Sequence, residues 1–356
     1  MSSGVYIHIP FCARKCAYCD FNSYDNLDSL MEPYTQRLIS EIKSGLPKDY
    51  DTVFLGGGTP TALPLPLLLE IVDAVFKEGC EFSVEANPAT IDFEGFAVLK
   101  AAGVNRISLG LQSAQDSELK ILGRIHSYSD FLSTYKAARR AGFDNINVDL
   151  MFSIPNQTVR SWADTLYKVV SLKPEHISCY SLIIEDTTPF SRMELSLPSE
   201  DEDREMYMYC AEFLKKNGYN HYEISNFAKD GFECRHNLKY WERKEYRGFG
   251  AGAHSFYNGA RYENSRDVSE YISDNKVTKT ILTQKDAENE YIFLGLRKTD
   301  GICLSEYKSL FGHDFTEKYY SAIKKYADFC EIRGGRFYLN LNGISISNTI
   351  ICDFLE

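Results

Sequence analysis

Over its first 225 residues the chain alternates short apolar runs with longer amphipathic stretches. Runs at 5–9, 52–55, 81–85, 106–110, 145–149 and 176–181 have strand length and strand composition. Between them, stretches at 34–44, 65–77, 93–102, 131–141 and 162–172 repeat their apolar positions at helical spacing. Six strand–helix units in series predict a parallel sheet with right-handed crossovers. Six is too few to close an eight-stranded barrel. The pattern therefore predicts an α/β fold, an open, crescent-shaped partial (β/α)6 barrel, with its chemistry at the C-terminal ends of the strands.

Beyond this repeat the pattern changes. A stretch at 199–217 carries acids in its first turn and Lys215–Lys216 in its last, a charge-complemented surface helix. The segment 222–255 has poor periodicity and reads as a loop. From about 283 onward the pattern gives helices at 284–296, 304–311 and 315–329, strands at 336–339 and 343–347, and a last helix. That order predicts a small winged-helix-like domain. The expected division is a barrel over 1–225 with a cysteine loop at 10–21, a connecting segment over 226–280, and the small domain over 281–356.

Composition narrows the classes of partner. A net charge of -11 argues against a general nucleic-acid or anionic-membrane surface, because either needs clustered Lys and Arg. The winged-helix-like segment is not strongly basic, so a lid or docking surface fits it better than DNA reading. No signal-peptide pattern and no run of about 18 apolar residues is seen. The ten cysteines then read as thiols of a reducing, cytoplasmic setting rather than as a disulfide framework.

The chemistry-bearing residues follow the strands. Cys12, Cys16 and Cys19 are spaced C-x3-C-x2-C directly after the first strand. Three thiolates on one loop suit a soft, iron-sulfur object, and a four-iron cluster held by three ligands leaves one iron open. A zinc site completed from elsewhere is the alternative. After the second strand, Gly56-Gly57-Gly58-Thr59-Pro60 exposes backbone N–H groups and lacks the Lys-Ser/Thr of a phosphate loop. Glu85, Gln112, Arg124 and Asp149 then fall at or just beyond successive strand ends. Two acids, an amide and a guanidinium suit a zwitterionic nucleoside amino acid. Tyr180 and Ile183, at the end of the sixth strand, are candidates for an adenine pocket. Further on, Cys234-Arg-His236-Asn237-Leu-Lys-Tyr240-Trp241 offers an imidazole with aromatic rings, the set a flat macrocycle would want. From composition alone, a loop sealing the barrel with His236 satisfied by backbone is the favoured reading.

Y-I-H-I-P-F-C-x3-C-x2-C-D-F, G-G-G-T-P and the strand-end residues together resemble the radical S-adenosylmethionine (SAM) superfamily. Within it they resemble the coproporphyrinogen III oxidase-like family. That resemblance implies a 4Fe-4S cluster on Cys12, Cys16 and Cys19, with the open iron chelated by SAM. It also implies SAM contacts at Tyr6, Tyr18, Gly57, Gly58, Thr59, Glu85, Gln112, Arg124, Asp149, Ile183 and His254. H-N-L-K-Y-W resembles the motif of the HemW branch, where it is associated with haem, which implies haem contacts at His236, Asn237, Tyr240 and Trp241. Phe21 stands where the oxidase branch has a fourth cysteine, and only five residues precede Tyr6 where that branch has an extension. The reading that follows is a cytoplasmic haem chaperone serving recipient haemoproteins, respiratory membrane proteins among them, with transient membrane association through a partner and a homodimer as one option. The alternatives are the oxidative decarboxylase itself and an RNA-modifying radical SAM enzyme.

Overall fold

The structure, a computed structural model, describes residues 2–355; Met1 and Glu356, which end the first and last expected segments, lie outside the described residues. Six parallel strands run in chain order through the sheet: β1 (Ser3–Ile9), β2 (Tyr50–Gly57), β3 (Glu81–Ala86), β4 (Arg106–Gln112), β5 (Ile146–Phe152) and β6 (His176–Ser181). Their crossovers contain α1 (Met31–Gly45), α2 (Leu65–Val75), α3 (Phe93–Ala101), α4 (Asp116–Ile121), α5 (Tyr128–Arg140) and α6 (Val159–Ser171), and α7 (Glu200–Lys216) follows β6. This is the expected open, partial (β/α)6 barrel.

The strands alternate strictly. Val5, Ile7 and Ile9 in β1, Val53 and Leu55 in β2, Ile107, Leu109 and Leu111 in β4, and Ile146, Val148 and Leu150 in β5 are buried in the main hydrophobic core. Each such residue contributes about 1.5–3 kcal/mol relative to exposure. The intervening positions are mostly polar, among them His8, Thr52, Ser83, Arg106, Ser108, Asn147, His176 and Ser178, and these too are buried. Period-two alternation sends the two sets to opposite faces, so the helices cover an apolar outside and the strands enclose a polar lumen.

Helix starts are set locally. Ser127, Thr158 and Ser199 each accept from the backbone N–H three residues on and complete capping boxes at α5, α6 and α7. The acids in the first turn of α7 and the lysines in its last match the helix dipole as expected.

The sheet does not end at β6. Its order continues through β8 (Asn226–Ala228) to β7 (Asn220–Glu223) on one side, and from β1 through β9 (Tyr246–Phe249), β10 (His254–Tyr257) and β11 (Ala260–Glu263) to β12 (Thr278–Ile281) on the other. The expected boundary at 225/226 therefore falls inside the β7–β8 hairpin. The connecting segment is part of the sheet, with α8 (Arg235–Trp241) and α9 (Val268–Asp274) between its strands.

The C-terminal part begins with α10 (Gln284–Gly295), started by a Thr283 capping box. Then follow β13 (Ile302–Cys303), α11 (Leu304–Phe311), α12 (Phe315–Lys318), α13 (Tyr320–Lys325), β14 (Cys330–Arg333), β15 (Arg336–Leu339), α14 (Leu341–Ile344) and α15 (Ser347–Cys352). The small sheet has the order β13-β15-β14, helices with a hairpin, as a winged-helix-like unit requires. Two details differ from expectation. Residues 343–347 are not a strand, because the Asn340 side chain caps the N–H of Gly343 and starts a helical turn. The hairpin partner of β15 is instead β14. The helix expected over 315–329 breaks at Tyr319, whose ψ of 23° separates α12 from α13. Among the described residues no helix is long and apolar enough to cross a membrane.

Candidate cofactor-binding cavity

A cavity of about 380 Å³ opens at the C-terminal ends of the six strands. Cys12, Cys16, Cys19, Tyr18, Gly57, Gly58, Thr59, Glu85, Gln112, Arg124, Asp149, Tyr180 and Ile183 all line it. These residues span most of the barrel in sequence, and strand order alone brings them together.

The cysteine loop is held from both ends. Cys12 N–H donates to Tyr24 O at 2.9 Å and Tyr24 N–H to Pro10 O at 2.8 Å, while Lys15 Nζ donates to the carbonyls of Phe21 and Ser23. Burial pushes the Cys12 and Cys19 thiols up, and for Cys12 the other two cysteines add to the effect. Soft-metal loading offsets that cost by taking them as thiolates.

The glycines earn their places by contact. Gly57 has φ +118°, and a Cβ there would meet the His8 ring at 2.8 Å. At Gly58 a Cβ would stand 2.7 Å from Phe11 O and 2.9 Å from Cys12 Sγ. The strand end can therefore lie directly under the cysteine loop, where Gly58 N–H donates to Ile9 O and Thr59 N–H to Phe11 O, each at 2.8 Å.

Glu85 accepts from Gly57 N–H at 3.2 Å. Burial, reinforced by nearby Asp149, pushes its carboxyl up to about 8. Asp149 is held by Ser108 Oγ at 2.9 Å and Asn147 Nδ2 at 2.8 Å. A bulge between Gly110 and Gln112, with Gln112 at φ 71°, re-aims that amide into the cavity. Arg124 reaches back across the mouth: Nη1 donates to Cys16 Sγ at 3.5 Å and Nη2 to Asn87 Oδ1 and Gly110 O, both at 2.6 Å. Its Nε is buried without a partner, a donor left for an acidic ligand group.

Tyr6 does not line this cavity. It lies in an adjoining chamber of about 200 Å³ that shares Glu85, Asp149 and Tyr180 with it. His236, Asn237 and Tyr240 line the same chamber, on the short helix α8 rather than on an exposed loop. His236 is buried, with Thr52 Oγ1 2.9 Å from Nδ1 and Tyr240 OH 2.7 Å from Nε2. Trp241 points elsewhere, its ring under the Arg297 guanidinium at 4.8 Å. Cys234, a further candidate for haem, is fully buried, 3.8 Å from Glu81 Oε1. His254 is also outside the cavity: it is exposed on β10 and 3.7 Å from Glu263. Its sequence neighbours Gly250 and Ala251 approach β1, and the strand turn carries His254 past it.

Asn87, His8, Asn22 and Arg106 went unread in the sequence. Asn87 ties Arg124 to Thr59, with Nδ2 donating to Thr59 Oγ1 at 2.6 Å. The signal for His8 and Arg106 was present, as every second position of β1 and β4.

A family model described as the radical SAM superfamily matches residues 6–168, and one described as the HemN C-terminal domain matches residues 282–346. A protein named heme chaperone HemW from Bacillus subtilis is 38% identical, covering 99% of each chain. One of the same name from Lactococcus lactis is 35% identical over 99% of this chain and 97% of its own. The solved structure of coproporphyrinogen III oxidase (HemN) from Escherichia coli, a radical SAM enzyme, superposes with a TM-score of 0.86 at 21% identity, covering 99% of this chain and 90% of its own. The family models, the full-length relatives and a cavity in which three cysteines face the strand-end residues lead to one conclusion: this chain belongs to the radical SAM superfamily and, within it, to the HemW family.

Proposed function

We propose that the protein is a haem chaperone that carries a 4Fe-4S cluster on Cys12, Cys16 and Cys19, binds SAM beside it, and passes haem to recipient haemoproteins. The observation that carries this reading is full-length identity of 38% to a relative named as a heme chaperone. Phe21 supports it, because it stands, mostly exposed, where the oxidase branch has a cysteine. The cavity residues fit the SAM assignment: Arg124 offers a free donor for a carboxylate, and Gly57, Thr59 and Glu85 surround the place for an amino group. When bound, the cluster supplies an iron open to chelation. The chain itself orients SAM, with Glu85 and Asp149 placed on the cavity wall beside the cysteine loop.

Anaerobic reconstitution followed by haem titration and a coproporphyrinogen III turnover assay, with SAM and reductant, tests the reading. Stoichiometric haem binding without decarboxylated product is expected. Decarboxylation would identify an oxidase instead.

Glu85 gives a pH signature. A carboxyl titrating near 8 is mostly neutral at neutral pH, and a cationic ligand such as the SAM sulfonium beside it favours the ionised form. SAM affinity should therefore rise with pH towards about 8, by at most about tenfold per unit, and then level off. In Glu85→Gln the slope should vanish; equilibrium dialysis of SAM across that range reads it directly.

A further inference from the structure

We propose that His236 and Tyr240 are positioning residues for the SAM cavity and the cysteine loop and do not ligate haem iron; the haem readouts below rest on the chaperone reading.

Helix α8 is stapled across the N-terminal ends of β1, β2 and β3. Glu81, at the start of β3, accepts from the N–H groups of Arg235 and His236, each at 3.0 Å. Asp51 in β2 pairs with Arg235 at 3.0 Å and Lys239 at 2.7 Å, and Lys239 also donates to Ser2 O at 2.9 Å. The helix is thus a plug at the end of the lumen opposite the cavity mouth.

Two observations remove His236 from haem ligation. Both ring nitrogens are already engaged, by Thr52 and Tyr240. The ring is buried at 1% exposure, facing a chamber it shares with Phe54, Tyr6 and Tyr240.

What the ring does touch leads to the cofactor site. His236 stacks on Phe54 with centroids 5.4 Å apart, and Phe54 stacks on Tyr6 at 6.4 Å. Phe54 Cε1 and Glu85 Oε2 both crowd the Cα of Gly56, each 3.0 Å from where a Cβ would be. Tyr6 OH is 2.9 Å from His8 Nδ1, and His8 Nε2 is 2.8 Å from Asn22 O, three residues past Cys19. The His8 ring also abuts Gly57. A continuous packed path therefore joins α8 to Glu85, to the glycine run and to the tail of the cysteine loop. The imidazole's part is to bridge Thr52 and Tyr240 and so hold Phe54 and Tyr6 in register. An amide can make the same bridge, whereas a methyl group cannot.

The test compares His236→Ala, His236→Gln and Tyr240→Phe in the full-length, anaerobically reconstituted protein. Three quantities are read: SAM affinity by equilibrium dialysis, the EPR signal of the reduced cluster with and without SAM, and the optical and EPR signature of the axial ligand in added haem. We expect His236→Ala to weaken SAM about tenfold and alter the SAM-induced EPR change, and His236→Gln to restore both largely. Haem bound by any variant should keep the wild-type axial signature. Unchanged SAM affinity in His236→Ala, or an axial signature lost in both His236 variants, overturns the proposal. Should His236→Ala fail to fold, Tyr240→Phe, which removes only the hydroxyl facing Nε2, carries the test through a smaller loss of SAM affinity. A wild-type protein that binds no haem refutes the chaperone reading, while the SAM and EPR comparisons still decide this one.

Discussion

Cys16→Ala should bind no cluster: after anaerobic reconstitution, iron and sulfide are expected at background, without the visible absorbance of the proposed centre. Cys12→Ala and Cys19→Ala should give the same result. The three thiolates are all the protein ligands the loop supplies, so losing one leaves two anchors for an object that needs three. Cys16 is also the sulfur that faces Arg124 Nη1 at 3.5 Å, an N–H···S contact that Ala cannot accept. Cys179→Ala and Cys210→Ala are the controls. Both thiols are buried between strand and helix, away from the cavity, and their loss should cost some packing but no iron. Full iron retained in any of the three loop variants would overturn the cluster assignment.

Glu288→Ala should be among the most destabilising single changes outside the cavity, by about 2–4 kcal/mol in chemical denaturation of the C-terminal part. One oxygen of this buried carboxylate, Oε1, meets Lys318 Nζ at 2.8 Å, His313 Nε2 at 2.9 Å, Tyr319 OH at 3.2 Å and the hydroxyl of Tyr307. Beneath them lies an aromatic cluster in which Tyr307 meets Phe315 at 5.1 Å and Phe315 meets Phe337 at 5.0 Å. Removing the carboxylate takes away the acceptor shared by Tyr307, His313, Tyr319 and Lys318 at the edge of that cluster. Glu288→Gln should lose less, since the amide still accepts. These contacts hold the carboxyl down at about 2 against burial. Because the folded value lies below the unfolded one, this contribution is complete above the ordinary carboxylate range, shrinks as pH falls from about 4.5, and is gone below about 2. A stability curve identical to wild type across acid pH would show the cluster to be passive.

The parts of the molecule legible in sequence are those with a long enough pattern. Six strand–helix units could be counted because each helix repeats its apolar face over several turns. The cavity residues could be placed because strand ends in such a sheet share one rim. The strands β7 to β12 escaped because each has four residues or fewer, and sheet edges there are set by pairing with distant strands. Helix α8 escaped for a related reason. Its seven residues give less than two full turns of periodicity, and its start is capped by Glu81, more than a hundred residues away. His236 and Tyr240 read as part of a ligand-facing or barrel-sealing loop because the partners of His236, Thr52 and Phe54, are adjacent only once the lumen has formed. Tyr6 was expected at the SAM site from the resemblance alone; it lies in the adjoining chamber, with its hydroxyl against His8.

Strand β1 carries the cysteine loop from the middle of the sheet, with β2 on one side and β9 on the other. Asn22, just past Cys19, is fastened by Nδ2 to Ala251 O and Arg266 O, each at 3.0 Å. Tyr34 OH likewise receives the Ala251 N–H at 3.0 Å. The cysteine loop's flank is therefore braced by residues made more than two hundred positions later. A nascent chain carries its three cysteines exposed on an unbuttressed loop for most of its synthesis. Metal loading of the finished site belongs after translation has passed the mid-two-hundreds, and truncation before that point should yield a protein that contains every cysteine ligand and still cannot keep iron.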